Sequence, residues 1–322
     1  MTNFNIPILF LVFNRLDTTQ QVFTAIQQIK PTKLYLACDG PREDKPGETQ
    51  IVNELRQYLL NNINWQCSVQ TLFRTTNLGC GKAVSQAITW FFKHEPMGII
   101  LEDDCLPSAS FFTFCEEMLL KYKDDTRIWH ISGYSLLTDN NLTYPSYYFS
   151  QITQIWGWAS WANRWQEFDL MMKKYPQFIK YKYMNKIFPS LRLRLWHKEL
   201  FDKNYAKTDT WDCQWYFTSL INNGLSITPR ISLIKNLGFG DLNSAHPDVD
   251  SLISSIDRHQ LHFPLTHPHI FCINPQLDNI YFKWRTRRGV YLKLLAYPII
   301  KIDNQWFRGK MLKLYKKLRN RI

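Results

Sequence analysis

At 322 residues and 38.5 kDa, with 45% hydrophobic residues, the chain can fill the core of one large α/β domain or two modest ones, which excludes a disordered polypeptide. Seven cysteines, an odd number with no C-x-x-C pair, exclude a disulfide framework and a cysteine-based zinc site and fit a reducing cytosol, and no apolar run reaches the ~18 to 20 residues that span a bilayer. The net charge of +12 is gathered at one end: from Lys283 onward 13 Lys or Arg face a single acid, Asp303, so residues 1–282 are close to neutral.

In chain order, IPILFLVFN reads as a buried strand ending at Asn14-Arg15, with no basic leader before it and no cleavage site, so a signal peptide is not expected. LDTTQQVFTAIQQI has helical spacing, with Asp17 or Thr18 placed to cap it. KLYLACDGP gives a second strand stopping at Asp39-Gly40, and GETQIVNELRQYLLNNI a second helix. CSVQTLFRT is a third strand, GKAVSQAITWFFKH a third helix, GIILEDD a fourth strand and SFFTFCEEMLLKYK a fourth helix. Strands alternating with helices predict an α/β fold with a mostly parallel sheet covered on both faces. In such sheets ligands bind at the carboxyl ends of the strands, where Asn14, Arg15, Asp39, Arg74 and Glu102 to Asp104 should converge. Beyond residue 126 the pattern changes to short strands, a Trp-rich loop QIWGWASWANRW and a basic aromatic helix-like block from Tyr175 to Phe201.

Three adjacent carboxylates behind the apolar run Ile99-Ile100-Leu101 repel one another and lose solvation, so a positive partner is expected among them. A hard divalent cation, Mg²⁺ or Mn²⁺, suits such oxygen ligands and would neutralise a diphosphate leaving group. The other reading is an acidic helix N-terminus. NLGCGKAVSQAI lacks Walker A spacing, yet Gly79, Gly81 and Lys82 could bring backbone amides and an ammonium to a phosphate; a glycine turn with a solvated lysine is the alternative. Asp212, set among rings in TWDCQWYF, is a candidate general base or else a helix cap, and His246 is a candidate metal ligand or a structural histidine. The 15% aromatic content suits ring-lined binding surfaces as well as ordinary core.

The ordered set PILFLVFNR, LYLACDGP, LGCGKAV, GIILEDDCLPSASFF, WGWASW, TWDCQW and NLGFG resembles the nucleotide-diphospho-sugar glycosyltransferases of the GT-A fold. Within them it is most similar to the inverting N-acetylglucosaminyltransferase that starts complex N-glycans and to bacterial surface-polysaccharide transferases. The resemblance covers residues 5–246 and implies a Rossmann-like sheet with a nucleotide-sugar half (1–126), an acceptor half (127–282) and a basic C-terminal helical tail (283–322). It implies a UDP-sugar or other nucleoside-diphosphate sugar as donor, a glycan or lipid-linked acceptor, and Mn²⁺ or Mg²⁺ as cofactor. By position, Asn14, Arg15 and Asp39 would lie at the nucleoside, Lys82 near the ribose or diphosphate, Glu102 and Asp103 at sugar and ribose, and Trp158 at the donor. Asp104 would bind the metal with His246, and Asp212 would be the base. The family's Golgi anchor has no counterpart here, and Trp156 to Trp161 is richer in Trp than the family's loop.

A sugar-nucleotide-forming nucleotidyltransferase is the first rival, but its glycine-rich basic loop after the first strand is replaced here by FNRLDTT. A non-catalytic module binding membrane or nucleic acid is the second. Charge confined to the tail argues against nucleic acid, whereas Phe307, Met311, Leu314 and Leu318 on one stripe, flanked by Lys310, Lys313, Lys317 and Arg321, suit an anionic membrane surface. The expected location is therefore cytoplasmic, peripheral to the inner face of the membrane.

Overall fold

The computed structural model describes residues 4–137, 145–188, 190–239 and 255–285. Its chain divides into two compact units, one of Met1–Met171 with Lys207–Pro275 and one of Met172–Ala206 with Gln276–Ile322.

The first unit is built on β1 (Ile8–Val12), α1 (Leu16–Ile29), β2 (Lys33–Cys38), α2 (Glu48–Asn61), β3 (Ser68–Phe73), α3 (Cys80–His94), β4 (Met97–Glu102), β5 (Cys105–Pro107) and α4 (Ala109–Tyr122). β6 (Ile128–Ser132), β7 (Tyr147–Ser150), β8 (Trp158–Trp161), α5 (Ala162–Trp165), α9 (Asp212–Ile221), β9 (Leu225–Pro229) and β10 (Ile234–Asn236) complete it. An eight-stranded sheet runs in the order β3-β2-β1-β4-β8-β6-β9-β7. The pairs β3-β2, β2-β1, β1-β4 and β6-β9 are parallel, while β4-β8, β8-β6 and β9-β7 are antiparallel. This is the expected α/β class with a mostly parallel sheet.

Alternation along β1 sorts the core. Ile8, Phe10 and Val12 pack with Val22 and Phe23 of α1, Leu55 and Leu59 of α2 and Phe111 of α4, while Leu9 and Leu11 pack with Ile88 and Phe91 of α3. Helices therefore cover both faces, and each fully buried Ile, Leu or Phe contributes roughly 1.5–3 kcal/mol.

Two local expectations are corrected. Arg15, rather than Asp17 or Thr18, stands at the N-cap of α1, and no side-chain cap is made there. The Trp-rich segment is not a loop throughout, because Trp158–Trp161 is the fully buried strand β8 in the middle of the sheet and Ala162–Trp165 a short helix. Trp158 stacks between His130 at 5.0 Å and Trp211 at 5.7 Å. His130 is held neutral, since burial lowers its pKa to about 4. It accepts from Trp215 Nε1 at Nδ1 (3.2 Å), so its Nε2 carries the proton donated to the Gln154 carbonyl (2.9 Å).

In the second unit the basic block is three helices, α6 (Tyr175–Lys180), α7 (Tyr183–Ile187) and α8 (Leu191–Asn204), followed after the chain's return by most of α10 (Pro275–Arg285). Among the described residues no helix is long and apolar enough to cross a membrane. Residues 286–322 of the basic tail lie outside the described residues.

Candidate active site at the carboxyl edge of the sheet

The strand order 3-2-1-4 adds β2 and β3 on one side of β1 and then β4 on the other, a topological switch point where a crevice is expected at the carboxyl ends of β1 and β4. Leu11 pairs with Glu102 across it. Here the acidic triplet meets its positive partner, Arg15. The guanidinium bonds Asp103 through Nη2, and both Nη1 and Nη2 reach Asp104 Oδ2 at 3.2 Å. Asp103, 3% exposed, also accepts the Phe13 N–H at 3.3 Å. Burial lifts its carboxyl above the ordinary range while Arg15 pulls it down. Burial also works against the Arg15 charge, but the two aspartates outweigh it and keep the guanidinium protonated.

Glu102 follows Ile100 on the α3 face of β4, where the Arg15 charge works to lower its pKa. Its Oε1 is closed to solvent and has no hydrogen-bond partner among the described residues. Burial, then Asp104 and Asp103, hold its pKa well above the carboxylate range, with Asp212 adding to the rise. Asp212 is the first residue of α9 and is partly exposed. Cys80, the first residue of α3, reaches the surface at one edge. Desolvation of the remainder, with Glu102, Asp212, Asp104 and Asp39 in that order, pushes its thiol up to about 12. A helix N-terminus ordinarily lowers a thiol pKa; here burial first and the surrounding acids second outweigh it.

The starts of α3 and α9 are joined by a close approach at Gly81. A Cβ there would lie 2.3 Å from the Thr208 carbonyl oxygen and 2.7 Å from that of Thr210, so only glycine lets the segment leading to Asp212 touch α3. Asp39 organises the other end of the same turn, accepting N–H bonds from Leu78 and Gly79 at 3.0 Å and from Gly40 at 3.0 Å. Lys82 projects from the first turn of α3, exposed, without an ion pair among the described residues. Asn14 donates to Glu48 Oε1 (2.9 Å), a buried carboxylate that also bonds Arg42.

The structure thus brings Arg15, Glu102, Asp103, Asp104 and Asp212 to one cleft and places Asp39 and Lys82 on the turn beside it. Trp158 is corrected to a core position: it has no exposed surface and lies inside the ring stack, so it supports the edge without reaching a ligand. His246 lies outside the described residues. Sequence reasoning missed Cys80, whose acid neighbours come from three separate segments. It also gave no role to the NLGF stretch. β10 pairs with β5, the Leu237 N–H donates to the Asp104 carbonyl at 2.7 Å, and a Cβ on Gly238 would sit 2.5 Å from Asp104 Oδ2. Its glycine, Gly238, was the available signal.

Among the described residues no three His, Cys, Asp or Glu side chains stand in a metal-ligand arrangement. In donor type the cleft does fit a hard cation, since it offers carboxylate oxygens and one of them, Glu102 Oε1, is buried without a partner.

One consequence is testable by stability. The native state binds the Glu102 proton more tightly than the unfolded chain, so stability is present at low pH and falls as pH rises from the ordinary glutamate pKa of about 4.3 towards that of buried Glu102. Glu102→Gln should therefore unfold at a higher temperature than the parent at about pH 8, with the gap narrowing towards about pH 4, each kcal/mol recovered giving roughly 2–4 °C. Melting curves at both pH values decide it, and a variant less stable than the parent at the higher pH would contradict the placement.

What these observations define is an α/β protein with an acidic, arginine-bridged cleft at the switch point of its sheet. The sequence matches no family profile and no curated protein sequence. Among solved structures the chain is similar to the mannosyltransferase PcManGT from Pyrobaculum calidifontis in complex with GDP-Man and Mn²⁺ (10% identity, TM-score 0.39, 73% of this chain and 57% of that one). It is also similar to mouse xyloside xylosyltransferase 1 (10%, 0.34, 67% and 81%) and to an apo UDP-glucose pyrophosphorylase (10%, 0.36, 86% and 99%). The chain spans little more than half of the mannosyltransferase. None of these likenesses is close enough to carry chemistry from one chain to another.

Proposed function

We propose that the chain is a GT-A-like, inverting glycosyltransferase, moving a sugar from a nucleoside-diphosphate donor, a UDP-sugar in the first instance, to a glycan or lipid-linked acceptor. Bacterial surface polysaccharide or glycoconjugate synthesis at the cytoplasmic face of the membrane is the setting that fits the basic tail. The observation that carries the reading is that Asp212, at the head of α9, lies close enough to Glu102 for its charge to act there, while Asp103 and Asp104 are held by Arg15.

In this reading Arg15, Asp103 and the Asp39 turn orient the nucleotide, and Lys82 meets the diphosphate. Glu102 holds a sugar hydroxyl through its otherwise partnerless oxygen. Asp212 takes the proton of the acceptor hydroxyl as that oxygen bonds to the anomeric carbon and the bond to the diphosphate breaks, its electron pair leaving on the phosphate oxygen. Asp104, with His246, would hold Mn²⁺ or Mg²⁺, which supplies positive charge to the departing diphosphate.

The nucleotidyltransferase alternative is disfavoured by one measured interval. β1 ends at Val12 and α1 begins at Leu16, so three residues separate them and a glycine-rich phosphate loop has no room. A screen of sugar nucleotides for thermal stabilisation, with and without Mn²⁺, should find one that raises the unfolding temperature only with metal present, followed by transfer to an acceptor. Formation of a sugar nucleotide from a sugar phosphate and a nucleoside triphosphate, or no stabilisation by any sugar nucleotide, would defeat the reading.

A further inference from the structure

The stretch 172–188 contains five lysines and no acid. It folds as α6 and α7, joined through Tyr181 and Lys182, with the Tyr181 N–H bonded to the Gln177 carbonyl and the Lys182 N–H to that of Ile179, both at 3.0 Å. Lys182 takes the left-handed conformation, φ 56°, that reverses the chain between the helices. Tyr175, Phe178, Met184 and Phe188 are buried, so the apolar side of the hairpin is spent on packing.

The other side carries an unusual combination. Tyr181 and Tyr183 are 57% and 44% exposed, with ring centroids 6.4 Å apart. Tyr183 is backed by Phe178 in a stack at 5.9 Å. Lys180 lies 5.8 Å from the Tyr181 ring and Lys186 4.9 Å from the Tyr183 ring. Lys180, Lys182 and Lys186 are exposed, and none of them has an acidic partner among the described residues. Two rigid phenol rings held between three unneutralised ammonium groups form a surface with an apolar body, polar tips and concentrated positive charge.

We propose that the α6–α7 hairpin docks on the anionic headgroup layer of a membrane. Tyrosine rings favour the depth of the headgroups, where the ring meets acyl chain and the hydroxyl meets water. Lysines at that depth pair with lipid phosphates, and each one near an anionic surface strengthens binding about fivefold. A nucleic acid fits less well, because its affinity comes from many phosphate contacts along a track, whereas α6 has six residues and is only about 9 Å long. The docking surface does not depend on the proposed reaction or on the C-terminal tail.

The test is sedimentation of the full chain with vesicles of phosphatidylglycerol and phosphatidylcholine, and with phosphatidylcholine alone. Lys180→Gln, Lys182→Gln and Lys186→Gln combined should weaken binding to the anionic vesicles by about a hundredfold, and Tyr181→Ser with Tyr183→Ser should weaken it further at fixed charge. All five side chains are exposed, so the unfolding temperature should match the parent and serves as the folding control. A parallel variant with Lys310, Lys313 and Lys317 changed to Gln separates the tail from the hairpin. Anionic-vesicle binding unchanged in the triple hairpin variant overturns the proposal, as does equal binding to neutral vesicles. Tight oligonucleotide binding abolished by the same substitutions would overturn it in favour of a nucleic-acid surface.

Discussion

Asp212→Asn should lower turnover by ~10²- to 10⁴-fold while leaving affinity for the nucleoside diphosphate nearly unchanged. Displacement at an anomeric carbon needs a proton acceptor beside the incoming hydroxyl and away from the groups that hold the diphosphate. Asp103 and Asp104 are engaged by Arg15, and Glu102 is buried with its pKa well raised. Asp212 stands apart from them at the head of α9, near enough for its charge to be felt by Glu102 and Cys80. Its position also favours the helix dipole, an effect of about 0.3–1 kcal/mol, so the melting temperature must be measured beside the rate. Asp209, three residues earlier, is exposed and in no regular element. Asp209→Asn should stay active, and if it lost turnover while Asp212→Asn kept it, the base would have to be reassigned.

Asp104→Ala should abolish the metal dependence of nucleoside-diphosphate binding. In the parent, titration calorimetry with UDP should show tighter binding with Mn²⁺ than with EDTA, and in the variant the two should coincide. Arg15 makes the outcome informative. Its guanidinium already compensates Asp103 and Asp104, and buried charges that lose a partner carry a penalty of several kcal/mol. A cation held by Asp104 would compete with two N–H bonds at 3.2 Å, and the arginine would keep its bond to Asp103. Equal affinity in EDTA and in metal for the parent would mean that Arg15 alone serves as the positive group and that the divalent ion has no part.

The first 126 residues were legible because their periodicity changes cleanly from strand to helix. Leu16–Ile29 was read with the bounds it has, and the four parallel strands fell where apolar runs stop at Asn14, Asp39, Arg74 and Glu102. β8 was misread for a physical reason: Trp-Ala-Ser-Trp is buried on both sides in the centre of the sheet, which erases the alternation that marks a half-exposed strand. The acidic triplet was recognisable as needing a cation, but nothing local says that Arg15, 89 positions away from Asp104, supplies one. Likewise the partners of Asp39 are backbone amides of Leu78 and Gly79, which have no sequence signature, and Cys80 acquires its meaning only from acids gathered by three segments.

The contact at Gly81 sets a length. The turn that would meet the diphosphate and the segment that carries Asp212 approach each other closely at Gly81, where a side chain would strike the Thr208 and Thr210 carbonyls. Under the proposed mechanism, the spacing between leaving group and proton acceptor would be set by this part of the scaffold. Widening that point by the bulk of a methyl group would separate the two sides on the ångström scale over which displacement reactions lose orders of magnitude in rate. In that sense position 81 would gauge the reaction distance of the proposed transfer without touching any reactant.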